Sequence, residues 1–587
     1  MRDLLADRVV ATPDATALVR AADGATRTYA ELDAAVDDVA GRLAVLGLAP
    51  GDALGVCLPT TPAAAECVHA AMRLGAVLVP LGPRLTPGEL AGNAARADVA
   101  ALVCDASTES QVRAAAGELD LPVARVGGRS AADGSDDGTP GAGDRDDGDS
   151  GTTEAVEADE GDENEVDARG DRRSRTVTAF ASVEPAAFDA YDWAIDESHL
   201  RLFTSGTTGA PKVVRVTPRM VVASAVASAF RLGVTPGDRW YDPLSIHHTG
   251  GIAPLYRATL YGTAVVLRDG FDAATLLADL AAHDVTGVSL VPTMLRRVLD
   301  ATDEPPEAVE ATRERRATEP ATGEGSTGGA GAFPDSLRTV LLGGAPASES
   351  LLRDCRERGV PVHPTYGTTE TASQVATARP AEALDPAHFG TVGRPLLWTR
   401  VTVVDDGEPV PPGEPGELVV NGPTVTPGYY GDEAATAESF GEYGFHTGDV
   451  GRLDDGRLSV LGRLDDRILT GGENVDPGEV VDVLRSHPGV REAAVVGLPD
   501  EEWGERVAAL VVPAVGSDDE SGERDGEPSS CSPSRPTAGE LEAHCRERLA
   551  GYKRPRVWAF ADELPRTTSG TVEREAVRRL LSAARDR

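Results

Sequence analysis

The chain has 587 residues, with 95 acidic against 56 basic side chains and a formal net charge of -39. This balance argues against nucleic acid as a partner, because counterion displacement needs a basic patch. No run reaches the ~18 apolar residues of a membrane span, and six cysteines without CxxC spacing indicate reduced thiols in a cytoplasmic protein.

Lysine is almost absent, because Lys212 and Lys553 are the only two and all other basic residues are arginine. A large acidic excess without lysine predicts a halophilic protein kept dissolved in concentrated salt by its carboxylates. An acidic protein from an arginine-rich genome is the alternative.

Three segments rich in Asp, Glu, Gly and Ser contain few residues that a core could bury. They span about 127–175, 301–332 and 516–537, and their composition predicts disordered acidic insertions in surface loops. The remainder fits one large domain over 1–462 and a small one over 463–587.

Between the insertions, short apolar strands alternate with helical patterns rich in Ala and Leu. The predicted strands are Ala53–Leu58, Ala76–Pro80, Ala100–Cys104, Thr263–Leu267, Gly287–Val291 and Thr339–Leu342, and the predicted helices are Ala63–Leu74 and Ala273–His283. This alternation predicts an α/β fold of parallel sheets flanked by helices. Ligands of such sheets bind beyond the carboxyl ends of the strands.

After Arg463 the elements become shorter. The helices are predicted over Glu479–Ser486 and Gly539–Leu549, and the strands over Ala493–Gly497 and Val507–Val512. The end of the chain is therefore expected to form a small α+β unit.

The segment 204–212 is the most informative in the chain. It reads Thr204-Ser205-Gly206-Thr207-Thr208-Gly209-Ala210-Pro211-Lys212 between two apolar runs. Glycines permit a tight turn and a close backbone approach, hydroxyls and free N–H groups line an anion nest, and lysine adds a mobile point charge. These features predict a loop that binds nucleotide phosphates, although the spacing is not that of a Walker loop. A flexible linker is the alternative.

Further motifs follow in chain order. They are Gly343-Gly344-Ala345, Thr365-Tyr366-Gly367-Thr368-Thr369-Glu370, Phe445-His446-Thr447-Gly448-Asp449 and Gly462-Arg463-Leu464-Asp465-Asp466. Each alone could be an ordinary glycine-rich turn. Together with the 204–212 loop, they resemble the core motifs of the acyl-adenylate-forming superfamily, which includes acyl-CoA synthetases, luciferases and the adenylation domains of peptide synthetases.

The resemblance implies a large N-terminal domain of parallel and mixed sheets with a distorted barrel subdomain, followed by a small mobile lid. It also implies a reaction in two halves. A carboxylic acid attacks the α-phosphate of Mg-ATP, and a thiol, usually that of coenzyme A, then attacks the acyl-adenylate.

The same resemblance implies roles for individual residues. Tyr366 is expected to stack on adenine, Glu370 to hold Mg²⁺, and Asp449 with Arg463 to hold the ribose. Asp465 is expected at the hinge, and His247 beside the acyl pocket, with a core histidine as its alternative.

One position departs from the family pattern. The last motif usually reads Pro-x-Thr-x-x-Gly-Lys, but here residues 565–571 read Pro-Arg-Thr-Thr-Ser-Gly-Thr. Thr571 stands where the catalytic lysine is expected, and losing a comparable transition-state contact costs ~10²–10³ in rate. Either Arg566 or Arg574 supplies the charge, or a reduced rate is tolerated, or the chain does not adenylate.

The block from Leu341 to Gln374 is more specific, because it resembles the o-succinylbenzoate–CoA ligases of menaquinone biosynthesis. Ser373 and Gln374 are expected one helical turn past Glu370, where they could hydrogen-bond a second carboxylate or a ketone of the acid. A solvated first helical turn is the alternative. Another acyl- or aryl-CoA synthetase, an enzyme that loads a carrier protein, and a non-catalytic nucleotide-binding protein remain alternative functions.

Overall fold

The computed structural model describes residues 1–127, 177–204, 211–303, 333–475, 477–500, 502–514, 535–566 and 572–585. The three predicted insertions lie almost wholly outside these ranges. Two of their borders are wrong: residues 301–303 end the helix Pro292–Asp303, and Thr537 caps the helix Ala538–Arg548 through its hydroxyl. Both helices therefore extend into what the composition assigned to an insertion.

A seven-stranded sheet forms the first part of the N-terminal region. Its strands in spatial order are Val177–Ala179, Val123–Arg125, Val99–Cys104, Ala53–Cys57, Val77–Pro80, Leu200–Phe203 and Val213–Val216. All neighbours pair in parallel except the last two strands, which are antiparallel. That last pair flanks the 204–212 loop, so the sheet fixes both ends of the loop.

A nine-stranded sheet forms the second part. Its strands in spatial order are Arg394–Pro395, Ala376–Thr377, Val362–Tyr366, Thr339–Leu342, Gly287–Leu290, Arg239–Asp242, Ala264–Leu267, Thr16–Arg20 and Thr26–Thr28. The six strands from Val362–Tyr366 to Thr16–Arg20 are parallel, and the edge strands are antiparallel. Some of these strands, such as Ala264–Leu267, are apolar runs because both faces of a parallel sheet are covered, whereas Arg239–Asp242 carries polar residues.

A six-stranded antiparallel sheet follows the nine-stranded sheet along the chain. Its strands are Arg400–Asp405, Glu408–Pro409, Gly416–Asn421, Phe440–Gly441, Gly444–Asp454 and Arg457–Arg463. The pairing of the last two strands places Asp449 directly opposite Arg463.

The C-terminal region carries its own five-stranded sheet. Its strands are Ile468–Thr470, Glu473–Val475, Val490–Asp500, Gly504–Pro513 and Val557–Phe560. The helices Pro477–Arg485 and Ala538–Arg548 pack on one face around Val480 and Leu541, and Arg574–Arg585 packs on the other around Val577. The predicted small α+β unit is therefore present.

The remaining helices cover the sheets of the N-terminal region. They are Leu4–Ala11, Tyr29–Val45, Pro62–Leu74, Pro87–Arg96, Glu109–Leu119, Pro218–Leu232, Thr249–Tyr261, Ala273–Ala282, Pro292–Asp303, Glu349–Glu357, Pro380–Ala383 and Glu433–Glu438. Several begin at a side-chain cap, as at Thr61 and Thr217, where the threonine hydroxyl accepts a backbone N–H and proline stands at the start of the helix.

The predicted α/β class with a smaller C-terminal α+β unit is confirmed. Every strand and helix predicted from the sequence is present to within about one to four residues, and Thr339–Leu342 has the predicted ends. Among the described helices, not one combines the length and apolar character that crossing a bilayer requires.

Candidate active site

The two ends of the 204–212 loop are joined by backbone hydrogen bonds. The N–H of Thr204 donates to the carbonyl of Lys212 at 3.0 Å, and the N–H of Lys212 donates to the hydroxyl of Thr204 at 3.3 Å. Ser205, Gly206, Thr207, Thr208 and Gly209 lie outside the described residues. The first and last residues of the loop are therefore held in place by the two antiparallel strands that flank it.

Lys212 and Glu370 are brought together by a residue that the sequence did not single out. The Lys212 ammonium lies 4.7 Å from the centre of the Tyr429 ring, and the Tyr429 hydroxyl donates to Glu370 Oε1 at 3.1 Å. Tyr429 is buried, which raises the pKa of its phenol and keeps it a hydrogen-bond donor. The lysine, the tyrosine and the carboxylate form one continuous polar row.

Glu370 fits the expected role of a ligand to hydrated magnesium. Its backbone carbonyl accepts from the N–H of Thr426 at 2.8 Å, so its position is fixed by the main chain. The Tyr429 hydroxyl is its only side-chain partner among the described residues, which leaves carboxylate oxygen for a hard cation. Among the described residues, no three His, Cys, Asp or Glu side chains form a cluster that could hold a metal ion. The site therefore suits a metal that arrives on the phosphates.

Asp449 is the centre of a second polar group. Tyr366 donates its hydroxyl to Asp449 Oδ2 at 2.7 Å, and Arg463 donates to Oδ1 at 3.1 Å. Burial raises the pKa of Asp449, although Arg463 acts in the opposite direction. A carboxylate offers about four acceptor positions, so both oxygens retain capacity for further donors such as ribose hydroxyls.

Two glycine turns lie at the carboxyl ends of adjacent parallel strands, as predicted. Gly343, Gly344 and Ala345 follow Thr339–Leu342, with Gly344 at a positive φ of 78°. A Cβ at Gly343 would lie 2.8 Å from the Thr365 methyl, and one at Gly367 would lie 2.0 Å from the Ser373 carbonyl oxygen. Both positions therefore need glycine for a close approach rather than for flexibility.

The remaining motif residues form a short turn. Thr369, Glu370 and Thr371 make a single 3₁₀ turn, and the N–H of Thr368 donates to the hydroxyl of Thr371 at 2.9 Å. The Thr369 hydroxyl contacts that of Thr249 at 3.5 Å, which brings the Glu370 turn to the start of the helix Thr249–Tyr261.

The placement of Ser373 and Gln374 on a helical turn is wrong. The 3₁₀ turn ends at Ala372 with φ 53°, and Ser373 has φ 93°. Gln374 is buried, and its amide donates to the Thr377 hydroxyl at 3.1 Å while its Oε1 has no partner among the described residues. The left-handed residues turn the chain into an antiparallel edge strand, so the solvated helix alternative is also excluded.

His247 lies near this turn and is held by its neighbours. Its Nδ1 is 2.5 Å from the Ser245 hydroxyl, its ring centre lies 3.9 Å from that of His248 with the two rings tilted by 43°, and Gly82 lies beside its Nε2. Burial, with His248 and Arg84 as smaller causes, lowers the pKa of His247 to about 3. The imidazole is therefore neutral at ordinary pH.

The two arginines considered as substitutes for a lysine at position 571 differ in position. Arg566 donates to Glu492 Oε1 at 2.6 Å, within the C-terminal sheet. Arg574 pairs with Asp466 beside the predicted hinge. Burial is the main cause that lowers the pKa of Arg574 to about 10, with Arg578 and Arg463 as smaller causes. Thr571 lies outside the described residues.

Asp465 is exposed in the 3₁₀ turn Leu464–Asp466, which links the antiparallel sheet to the C-terminal sheet. Its role as a hinge stays a prediction, as does the domain division at 462/463.

Sequence reasoning missed Tyr429 and Glu417. Glu417 accepts from the N–H of Gly448 at 3.1 Å and contacts His446 Nδ1 at 2.8 Å, so it holds the turn before Asp449. Tyr429 follows a glycine in Gly428-Tyr429-Tyr430, and this aromatic pair was the available signal.

Sequence comparison identifies two family matches. The model described as AMP-binding enzyme matches residues 5–430, and the model described as AMP-binding enzyme C-terminal domain matches residues 479–571. The second match begins inside the C-terminal region described above.

Two relatives span nearly the whole chain. The 2-succinylbenzoate–CoA ligase of Bacillus cereus (strain Q1) is 32% identical over 586 residues, covering 99% of this chain and 99% of that protein. The 2-succinylbenzoate–CoA ligase of Geobacillus kaustophilus is 34% identical over 584 residues, covering 99% and 98%.

Solved structures of the Bacillus subtilis o-succinylbenzoate–CoA synthetase are similar along the same length. The complex with the acyl-adenylate intermediate has a TM-score of 0.73 at 30% identity and covers 98% of both chains. The complex with ATP and magnesium has a TM-score of 0.75 at 31% identity and covers 98% of this chain and 99% of that one. With both family models matched in order and relatives aligned from end to end, this chain belongs to the AMP-binding enzyme family.

Proposed function

We propose that this chain is an AMP-forming acid–CoA ligase that converts 2-succinylbenzoate to 2-succinylbenzoyl-CoA, with ATP, Mg²⁺ and coenzyme A as co-substrates. The observation that carries the proposal is the alignment of 2-succinylbenzoate–CoA ligases over 99% of the chain. The site geometry supports the nucleotide half of the reaction independently, because Lys212 and Glu370 share the partner Tyr429 while Asp449 is held by Tyr366 and Arg463.

In the first half-reaction, a carboxylate oxygen of the acid attacks the α-phosphorus of ATP and the bond to pyrophosphate breaks. Lys212 neutralises charge on the leaving phosphates, and Thr204 at the base of the loop fixes its direction. Magnesium, held by the phosphates and by Glu370, supplies further charge neutralisation. Tyr429 keeps the lysine and the glutamate in register, because its ring contacts one and its hydroxyl the other.

Asp449 binds the ribose in this proposal. Its carboxylate is oriented by Tyr366 and Arg463, which occupy one position on each oxygen and leave the others for the ribose hydroxyls. Tyr366 therefore has two tasks, since its ring faces the adenine site while its hydroxyl positions Asp449.

His247 forms part of the acyl pocket. When the Ser245 hydroxyl donates to Nδ1, the ring proton is on Nε2, which then serves as a neutral donor to a carboxylate or carbonyl of the acid. A neutral donor costs less to desolvate than a cation. Gln374 contributes to the pocket through the turn that it anchors, because its side chain is buried against Thr377.

Arg574 is the residue that compensates for the missing lysine. It pairs with Asp466, next to the expected hinge residue Asp465, whereas Arg566 pairs with Glu492 of the C-terminal sheet. In the second half-reaction, the C-terminal region rotates about Asp465, the thiol attacks the acyl carbonyl and AMP leaves.

The test is pyrophosphate release from ATP, Mg²⁺ and 2-succinylbenzoate in concentrated KCl, with and without coenzyme A. We expect a limited burst without coenzyme A, and continuous release matched by thioester when it is present. Absence of pyrophosphate from folded protein that binds ATP would reject this substrate, and a panel of aryl and short-chain acids would then separate a different acid from a lost activity.

A further inference from the structure

A cavity lies at the amino ends of strands in the nine-stranded sheet, whereas the candidate active site lies at the carboxyl ends. It is formed by the amino ends of the strands Arg239–Asp242, Gly287–Leu290 and Thr339–Leu342, with the helices Pro218–Leu232 and Thr249–Tyr261 above them. It holds about 40 Å³ of space for the centres of water molecules, which is room for about three waters or one small ion.

Arg257 lines this cavity and has no acidic partner among the described residues. The residue is 8% exposed, and one nitrogen of its guanidinium donates to the Ser224 hydroxyl at 3.1 Å. Its Nε is buried without any partner. Burial lowers the pKa of Arg257, and the tyrosine Tyr261 is the one group that acts in the opposite direction.

The other polar groups of the cavity are engaged elsewhere. Asp238 pairs with Arg338 and accepts from the N–H and hydroxyl of Thr235 at 2.8 and 2.9 Å. Tyr261 donates its hydroxyl to the Ala225 carbonyl at 2.5 Å. The charged lining of two arginines and one aspartate therefore has a net charge of +1.

A buried guanidinium without a counter-charge is strongly unfavourable. The remaining walls include Leu232, Val234, Trp240 and Pro254, none of which offers a carboxylate. Within the described part of the chain no carboxylate offsets the charge on Arg257, so an anion from solution can supply the compensating charge, and the small volume limits the size of that anion.

We propose that the cavity is a binding site for one small monovalent anion, either a halide or a one- to two-carbon carboxylate, held by Arg257. The anion stabilises the helix Thr249–Tyr261, whose first residue contacts the Glu370 turn through Thr249 and Thr369. Binding is thus a feature of the folded chain, and the inference does not depend on the ligase activity.

Thermal unfolding of the full chain tests the site at constant ionic strength in three potassium salts: chloride, formate and gluconate. Chloride and formate fit the cavity, and gluconate is too large. We expect chloride or formate to raise the unfolding midpoint saturably by about 2 °C or more relative to gluconate. A rise with both identifies a general small-anion site, and a rise with chloride alone identifies a halide site.

Arg257→Met keeps the apolar stem and removes the charge, and we expect it to lose the saturable part of the rise. Arg113→Met is the matched control, because Arg113 is exposed on the helix Glu109–Leu119 far from the cavity in sequence and sheet. Identical curves in the three salts, or the same saturable rise in Arg257→Met, would overturn the proposal.

Crystals of the unaltered chain grown with bromide give a measurement that does not need a variant. Anomalous scattering is expected at contact distance from the Arg257 guanidinium. Bromide sites elsewhere but none at Arg257 would also reject the site, even if the Arg257→Met chain failed to fold.

Discussion

The two sides of the candidate active site differ in where their charged groups find partners. On the nucleotide side, Lys212 contacts a tyrosine ring and Glu370 accepts from a tyrosine hydroxyl, so neither is neutralised by an opposite charge among the described residues. On the lid side, Arg566 and Arg574 are both paired with carboxylates of the C-terminal region. Neutral partners position a charged group and leave its charge available for a ligand. An arginine of the lid must first break its ion pair with a carboxylate before it can contact a phosphate.

The largest expected effect is on the nucleotide side. Lys212→Met removes the point charge at the phosphates, and we expect pyrophosphate release to fall by about 10²–10³. The only other lysine gives a matched control, since Lys553 pairs with Glu479 in the C-terminal region. Lys553→Met is expected to change the rate without coenzyme A by less than about twofold. Similar losses in both variants would show a general effect of lysine removal.

A smaller effect is expected on the lid side, where Arg566 and Arg574 have different carboxylate partners. Arg574→Met should lower pyrophosphate release by about tenfold, less than the loss of Lys212 because forming the contact requires breaking the pair with Asp466. Arg566→Met should have a weaker effect, because Arg566 pairs with Glu492 of the C-terminal sheet and not with the turn that carries the expected hinge. The reverse order would assign the charge to Arg566.

Placing the family lysine back at its usual position sharpens the same comparison. Thr571→Lys should restore most of the activity of the Arg574→Met chain and add less to the unaltered chain, because both cations then serve one transition state. Such non-additivity is the mark of a shared interaction. Equal gains in the two backgrounds would show that Arg574 and residue 571 act independently.

The strand Arg239–Asp242, which carries polar residues, was not predicted from the sequence, whereas buried strands that are apolar runs were. Thr339–Leu342, which ends at the Gly343-Gly344 turn, is an example of a predicted apolar strand. The contacts of the site were less predictable. Tyr429 contacts Glu370 although the two residues are 59 positions apart in the sequence, and neither periodicity nor a local motif predicts such a contact. The turn at Ala372 and Ser373 was missed because two non-glycine residues adopt positive φ there.

The fourth prediction concerns the main chain of the nucleotide side. Gly367→Ala introduces a Cβ only 2.0 Å from the Ser373 carbonyl, so the turn must move. We expect a loss of about 1–3 kcal/mol in the free energy of unfolding and weaker binding of ATP, measured by denaturant titration and calorimetry. Gly88→Ala is the control, because it lies early in the helix Pro87–Arg96 with no atom within 4 Å of the added methyl. That variant should be neutral or slightly stabilising.

The last prediction concerns acid stability, and it separates the buried core of the N-terminal region from its surface carboxylates. His199 is 1% exposed, and both of its ring nitrogens lack partners among the described residues, between the rings of Trp193 and Tyr256. Burial lowers the pKa of His199 from its ordinary value of 6.5 to about 4. Between these values the unfolded chain binds the extra proton, so acidification favours unfolding.

His199→Phe keeps an aromatic ring and removes this titration. Its free energy of unfolding relative to the unaltered chain should be constant above about pH 7 and rise as the pH falls from about 6.5 towards 4. The expected slope is about 1.4 kcal/mol per pH unit at its steepest. Urea titrations of both chains at several pH values measure this difference, in which the protonation of surface carboxylates cancels. A difference that does not change with pH would mean that His199 is hydrated or charged in the folded protein, and the buried core would then contribute no more to acid sensitivity than the surface does.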